Sequence, residues 1–246
     1  MFFIAKVKPA KFLTKFADEK NNNSLSTKLR QKRFVLFKMF LTKHYNQING
    51  SLKIIDVGGR PTIWEQKLPE LQQIYPKANF EITVANIQQY VSKCENIRCI
   101  VADARNMKQF KDKEFDIVFS NSVIEHVGNY EDQEAMAKEV LRIGKNYFVQ
   151  TPNFYFLIEP HFLFPCFQFL PQKIQVWLIT NFDLGWIKKT ANQKKAVRLI
   201  NSIKLLRKKQ LLTLFPGANV FEEKFFCLTK SFIMCGESSI SVDSSN

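Results

Sequence analysis

The sequence predicts an α/β protein with a doubly wound, mostly parallel seven-stranded sheet, a C-terminal antiparallel hairpin and a helical insertion. Three observations predict it. In Ser51–Glu65 (SLKIIDVGGRPTIWE), an apolar, β-branched segment runs into an acid and two adjacent glycines. That is the pattern of a buried strand ending in a sharp turn into a helix. Four more short segments rich in β-branched and aromatic residues follow before residue 152, with helical patterns between them. Such alternation calls for parallel strands joined by crossovers. Finally, residues 218–228 and 230–235 read as two strands with a tight connection, an antiparallel hairpin that closes the sheet.

Taken in order, residues 1–50 form a basic helical extension with eleven Lys/Arg against Asp18 and Glu19. Ser26-Thr27 is placed to cap a helix carrying Phe34, Val35, Phe37, Met39, Phe40 and Leu41. That helix should stop near Asn49-Gly50 and pack beside the sheet. Residues 51–153 form the core. Its first strand is 52–57, followed by a short helix over 62–67 whose continuation Pro69 should disturb. Phe80–Ile87, Ile97–Ala102, Phe115–Ser120 and Asn146–Thr151 are the next strands. Asn129 caps a helix with Met136, Val140 and Leu141 at helical spacing, and Gly144 stops it. Residues 154–210 form the insertion. Its first part, 154–182, is strongly apolar, but Pro160, Pro165 and Pro171 cut it into pieces too short to span a bilayer. From Trp186 to Gln210 there are nine Lys/Arg and no acid, with Val197, Ile200, Ile203 and Leu206 on one face of an expected amphipathic helix. Residues 211–246 supply the closing strands and a Ser-rich tail.

Composition bounds the function. The chain has 246 residues, 46% of them hydrophobic, enough for one sizeable core. Its net charge of +14 favours anionic partners: nucleic acid, a membrane surface or a phosphorylated substrate. Five scattered cysteines (Cys94, Cys99, Cys166, Cys227, Cys235) with no C-x-x-C argue against a disulfide framework or a zinc site and fit a reducing cytosol. The start has an apolar run of only four residues, Phe2–Ala5, shorter than a secretory signal requires. The expected localisation is cytoplasmic, with peripheral membrane contact.

The order of these features resembles the class I S-adenosylmethionine-dependent methyltransferases, a Rossmann-like group, and within them methyltransferase type 11. The resemblance covers about residues 50–153. It implies that the turn Asp56-Val57-Gly58-Gly59 lies under the methionine part of S-adenosylmethionine, with Asp56 orienting the turn and the cofactor's amino group. A family G-x-G would put its second glycine at Arg60; the adjacent glycines instead resemble a GG-x-P-x-x-W variant. Asn86 stands where the family places an acid for the ribose hydroxyls. Asp103-Ala104 stands where the adenine is read. Ser120 and Asn121 fall beside the sulfonium, in a segment (FDIVFSNSVIEHV) that resembles the family's, including Glu125-His126. Asp116 is expected to serve the turn into its strand.

The resemblance implies methyl transfer to a small-molecule or lipid-linked acceptor. An oxygen acceptor needs a base, and His126 and His161 are the candidates, with Tyr155, Glu159 and Asn153 as further pocket residues. The insertion reads as a lid over an apolar acceptor, as a segment lying on an anionic membrane, or as a helical subdomain with a solvated basic face. The alternatives are an RNA-directed methyltransferase or RNA-binding protein, and a non-catalytic binding protein of the same fold. Nucleic acid is the weaker partner, because the chain lacks the asparagine–proline–aromatic tetrapeptide common in amino-directed nucleic-acid enzymes of this fold.

Overall fold

The computed structural model describes residues 25–45 and 51–238. The expected stop at Asn49-Gly50 and the Ser-rich tail lie outside them. The elements are α1 Leu25–Tyr45, β1 Ser51–Val57, α2 Pro61–Ile74, β2 Asn79–Asn86, β3 Ile97–Val101, β4 Phe115–Asn121, α3 Tyr130–Ile143, β5 Gly144–Pro152, β6 Ile158–Glu159, β7 Phe164–Pro165, α4 Gln172–Asn181, α5 Gln193–Asn201, α6 Lys208–Leu214, β8 Asn219–Phe225 and β9 Leu228–Glu237. They fall into two compact units. One takes the described residues of Met1–Phe37 with Phe154–Ser202; the other takes Lys38–Asn153 with the described residues of Ile203–Asn246.

The larger unit is built on a seven-stranded sheet of order β3-β2-β1-β4-β5-β9-β8. β1 pairs in parallel with β2 and β4, and β5 extends the parallel set. β9 then runs antiparallel to β5, and β8 antiparallel to β9. Ile54, Ile55, Ile117 and Val118 are fully buried in the two central strands, so these read as continuous apolar runs. Met136, Ala137 and Val140 of α3 pack in one core cluster with Ile55, Val118 and Val149, joined by Leu211 and Leu214 of α6. An aromatic row runs Trp64–Phe119–Phe148–Phe40, three buried rings and the half-buried Phe40, with successive ring centroids 5.5, 5.7 and 5.8 Å apart. Phe40 lies in the C-terminal part of α1, so that part of the helix does pack beside the sheet. Asp116 fixes strand register: it accepts from the Lys53 backbone N–H at 2.9 Å and from Lys145 Nζ at 2.8 Å. Asn129 caps α3 in a reciprocal capping box with Asp132, and Gly144 ends the helix.

Two helices differ from the sequence expectation. α2 continues through Pro69 to Ile74, because Trp64, Leu68 and Leu71 form a buried stripe whose packing outweighs one lost backbone hydrogen bond. The basic stretch 187–210 is not one helix. α5 ends at Asn201, where the Ser202 hydroxyl turns back to the Leu199 carbonyl at 2.8 Å. Residues 203–206 then run extended: the Lys204 N–H donates to the Glu125 carbonyl and Leu206 bridges to Asn153. Ile203 and Leu206 therefore fall in the larger unit, which resumes after Ser202.

The smaller unit contains the β6–β7 hairpin, a 3-10 turn at Phe167–Phe169, α4 and α5. Its core includes Phe162 stacked on Phe167 at 4.0 Å, with Leu178, Ile179 and Ala196 buried. Among the described residues no helix is long and apolar enough to cross a membrane.

Candidate functional site

The strand order reverses between β1 and β4, and in an open α/β sheet the crevice beyond such strand ends is where ligands bind. At that point β1 ends in a tightly interlocked turn. Gly58 has φ +80°, and a Cβ there would lie 2.5 Å from both Val123 methyl groups. Its N–H donates to the Ala85 carbonyl at 2.7 Å, tying the turn to β2. A Cβ on Gly59 would come 1.8 Å from Oδ2 of Asp56, so only glycine lets the chain pass over that carboxylate. Pro61 opens α2, and one turn on, the Trp64 indole N–H donates to Asp56 Oδ2 at 2.7 Å. The spacing Asp56-x-Gly58-Gly59-x-Pro61-x-x-Trp64 is thus one physical unit. Asp56 is 1% exposed, and its Oδ1 has no hydrogen-bond partner among the described residues. Burial pushes its carboxyl up to about 7, against the opposing pull of the indole hydrogen bond.

The next strands bring further candidates to this edge. Asn86, at the end of β2, donates from its amide to the carbonyls of Gly58 and Gly59, both at 2.9 Å. Its Oδ1 accepts from the Gln88 N–H at 3.0 Å. An aspartate could not donate these two bonds, so the amide braces the glycine turn, a role the sequence reading did not find. The Asn86 carbonyl also receives the Ala102 N–H, which links β2 to the loop carrying Asp103 and the buried Ala104. Asp103 is forked by the Arg105 guanidinium, at 2.7 Å in its shortest contact. That hydrogen bond holds its carboxyl below the usual range. Arg105 also reaches Asp132 at 2.9 Å, fastening the loop to the start of α3. On β4, the Ser120 hydroxyl donates to the Val57 carbonyl at 3.0 Å, and half-buried Asn121 closes the strand. Asp56, Gly58, Gly59, Asn86 and Ser120 are therefore assembled around one turn. Asp103 and Ala104 are carried at the neighbouring strand end.

The candidate bases differ in setting and belong to different units. His126 is exposed on the 3-10 turn Ile124–His126. Glu125 before it is buried and accepts from the Thr151 hydroxyl at 2.9 Å. His161, in the smaller unit, is held by the buried Glu159, with Nδ1 to Oε1 at 2.7 Å. The other carboxylate oxygen accepts the backbone N–H groups of His161 and Phe162 at 2.8 and 2.7 Å. With Nδ1–H directed at a carboxylate, Nε2 is the proton-accepting nitrogen. Tyr155 is exposed. Asn153 is occupied structurally, donating from its amide to the Thr229 carbonyl at 2.8 Å.

Comparison with known proteins agrees with this geometry. Residues 71–147 match the family model described as a methyltransferase domain, a span that includes Asn86, Asp103 and Ser120–His126 but not the glycine turn. Two uncharacterised proteins of Mycobacterium tuberculosis, from strains H37Rv and CDC 1551, are 34% identical over 70 residues, 28% of this chain and 24% of theirs. The chain thus spans about a quarter of the length of the curated relatives it matches. Among solved structures, the carbon methyltransferase of DszA superposes with a TM-score of 0.56 at 11% identity, covering 88% of this chain and 56% of that one. The methyltransferase domain of the citrinin polyketide synthase gives 0.52 at 14% identity, covering 87% and 52%. Residues 71–147 thus resemble a methyltransferase domain, and the sheet and its helices have the fold of the carbon methyltransferases they superpose on.

Proposed function

We propose that the protein transfers a methyl group from S-adenosylmethionine to a small-molecule or lipid-linked acceptor. The observation that carries this reading is the glycine turn at the reversal of strand order, where buried Asp56 keeps an acceptor atom without a partner. The residues present fit the cofactor. Asp56 would favour its cationic amino group, Gly58 and Gly59 permit close backbone approach, and Asn86 Oδ1 and Asp103 offer acceptors for hydroxyl and amine donors. S-adenosylmethionine, when bound, supplies a methyl group already activated on a sulfonium.

What remains for the chain is to bind, align and exclude water. The Trp64–Asp56 and Asn86–glycine hydrogen bonds fix the turn before any ligand arrives, so little ordering is left to the binding step. For an oxygen acceptor, His126, in the same unit as the glycine turn, is the candidate base.

The test is methyl transfer from radiolabelled S-adenosylmethionine to fractionated cell extract. Label in the lipid or small-molecule fraction, reduced by His126→Gln with cofactor affinity unchanged, is the expected outcome. Label in RNA would replace the acceptor class. No label anywhere, from a protein that binds the cofactor, would identify a non-catalytic binding protein.

A further inference from the structure

The smaller unit exposes aromatic side chains that its own core does not need. Trp186 sits at the tip of a tight turn closed by two backbone hydrogen bonds between Leu184 and Ile187, at 2.9 and 2.8 Å. Leu184 is buried and anchors the turn, while Trp186 is 51% exposed. Gly185 before it has φ +52°, and a Cβ there would meet the Phe162 carbonyl oxygen at 2.7 Å. The backbone is therefore built to present this indole outward. On α4, Gln175, Leu178 and Ile179 face the core, and Trp177 is 53% exposed. Tyr155 and Phe169, also exposed, stack on each other at 6.5 Å.

Charge accompanies these rings. Lys188 and Lys189 follow Trp186 after Ile187, and Lys194 and Lys195 occupy the first turn of α5. Two cations at a helix N-terminus oppose the helix dipole, and that turn contains no acid. The arrangement is locally unfavourable and would be relieved by an anionic surface. Of the two acids among residues 154–202, Glu159 is buried with His161, and Asp183 accepts the Lys189 N–H at 2.8 Å.

We propose that this unit docks on an anionic membrane surface, with Trp186 and Trp177 entering the interface and the adjacent lysines meeting lipid phosphates. Amphipathic indoles settle at the headgroup boundary, and each basic residue near an anionic leaflet adds attraction. RNA is less suited to the same surface. Tyr155 and Phe169 already spend ring faces on each other, and Trp177 meets Phe182 edge-on at 5.4 Å, whereas base stacking needs open faces. The proposal goes beyond the methyl-transfer reading and stands whether or not the acceptor is lipid-linked.

The test is co-sedimentation of the full chain with vesicles of phosphatidylcholine alone and of phosphatidylcholine mixed with phosphatidylserine, together with tryptophan fluorescence. The chain has three tryptophans, and Trp64 is 1% exposed, so Trp177 and Trp186 report contact. Binding to the serine-containing vesicles should be at least about tenfold stronger, weaken with salt and shift emission to the blue. Combined Lys188→Gln, Lys189→Gln, Lys194→Gln and Lys195→Gln should lose about tenfold or more. Trp177→Phe, which leaves one exposed indole, should retain the shift. All these positions are exposed, and unchanged thermal midpoints confirm folding. Absence of binding to anionic vesicles, binding indifferent to the lysines, or binding of an RNA oligonucleotide by these lysines without vesicle binding would overturn the proposal.

Discussion

Asp56 concentrates the site's electrostatics in one carboxyl. Its ordinary value is 3.8, and burial raises it to about 7 in the fold. The folded state therefore holds the proton more tightly than the unfolded chain. That contribution to stability is complete below pH 3.8, declines as pH rises and is gone once pH passes about 7. Denaturation midpoints of wild type and Asp56→Asn across this window should show a falling component in the wild type, on the order of a few kcal/mol, that the variant lacks. Parallel profiles would contradict the assignment. The acid and both glycines were legible in the sequence as a turn. Their partners were not: Trp64 meets Asp56 across eight positions only after the turn closes, and Asn86 joins it from β2. The resemblance suggested a ribose acceptor at Asn86, and the donor half of its amide has no visible task without the Gly58 and Gly59 carbonyls. Glu159, two residues before His161, was legible as a nearby acid but not as the group that sets the histidine's tautomer.

Each sheet strand of the core was legible to within a few residues, because buried parallel strands read as apolar runs bounded by acid, glycine or asparagine. Helices were less so where punctuation and packing conflict. Pro69 reads as a break, yet α2 runs through it on the buried stripe of Trp64, Leu68 and Leu71. The exposed ring of Pro69 contributes no core packing, and its nitrogen has no proton for the Glu65 carbonyl. Pro69→Ala should therefore stabilise the protein by about 1–3 kcal/mol, seen as a higher urea midpoint at unchanged slope. An unchanged or lower midpoint would mean that the ring supports the helix after all. The opposite error lies in the basic stretch, where of the apolar residues at helical spacing only Val197 and Ile200 lie in a helix. Half-buried Ile203 and buried Leu206 sit in the segment between α5 and α6, and periodicity cannot distinguish the two cases.

At the scale of the molecule, the chain combines a doubly wound core with a second unit drawn from two separate stretches of sequence. The core was legible because strand ends in a doubly wound sheet fall along one edge, so Asp56, Asn86, Asp103 and Ser120 could be aligned before any contact was known. The second unit was legible only as composition: aromatic, proline-cut, then basic. Its exposed Trp186 depends on the turn at Gly185, which only the backbone displays. The claim on which the functional account rests is that the core binds S-adenosylmethionine at that edge. The most direct measurement is titration calorimetry with S-adenosylhomocysteine on wild type and on Asp103→Ala, each checked for an unchanged thermal midpoint. The account predicts saturable binding by the wild type and at least about tenfold weaker binding by the variant, from loss of a charged hydrogen-bond acceptor. No binding by folded wild type would contradict the cofactor assignment, and equal binding by both would remove the adenine from Asp103.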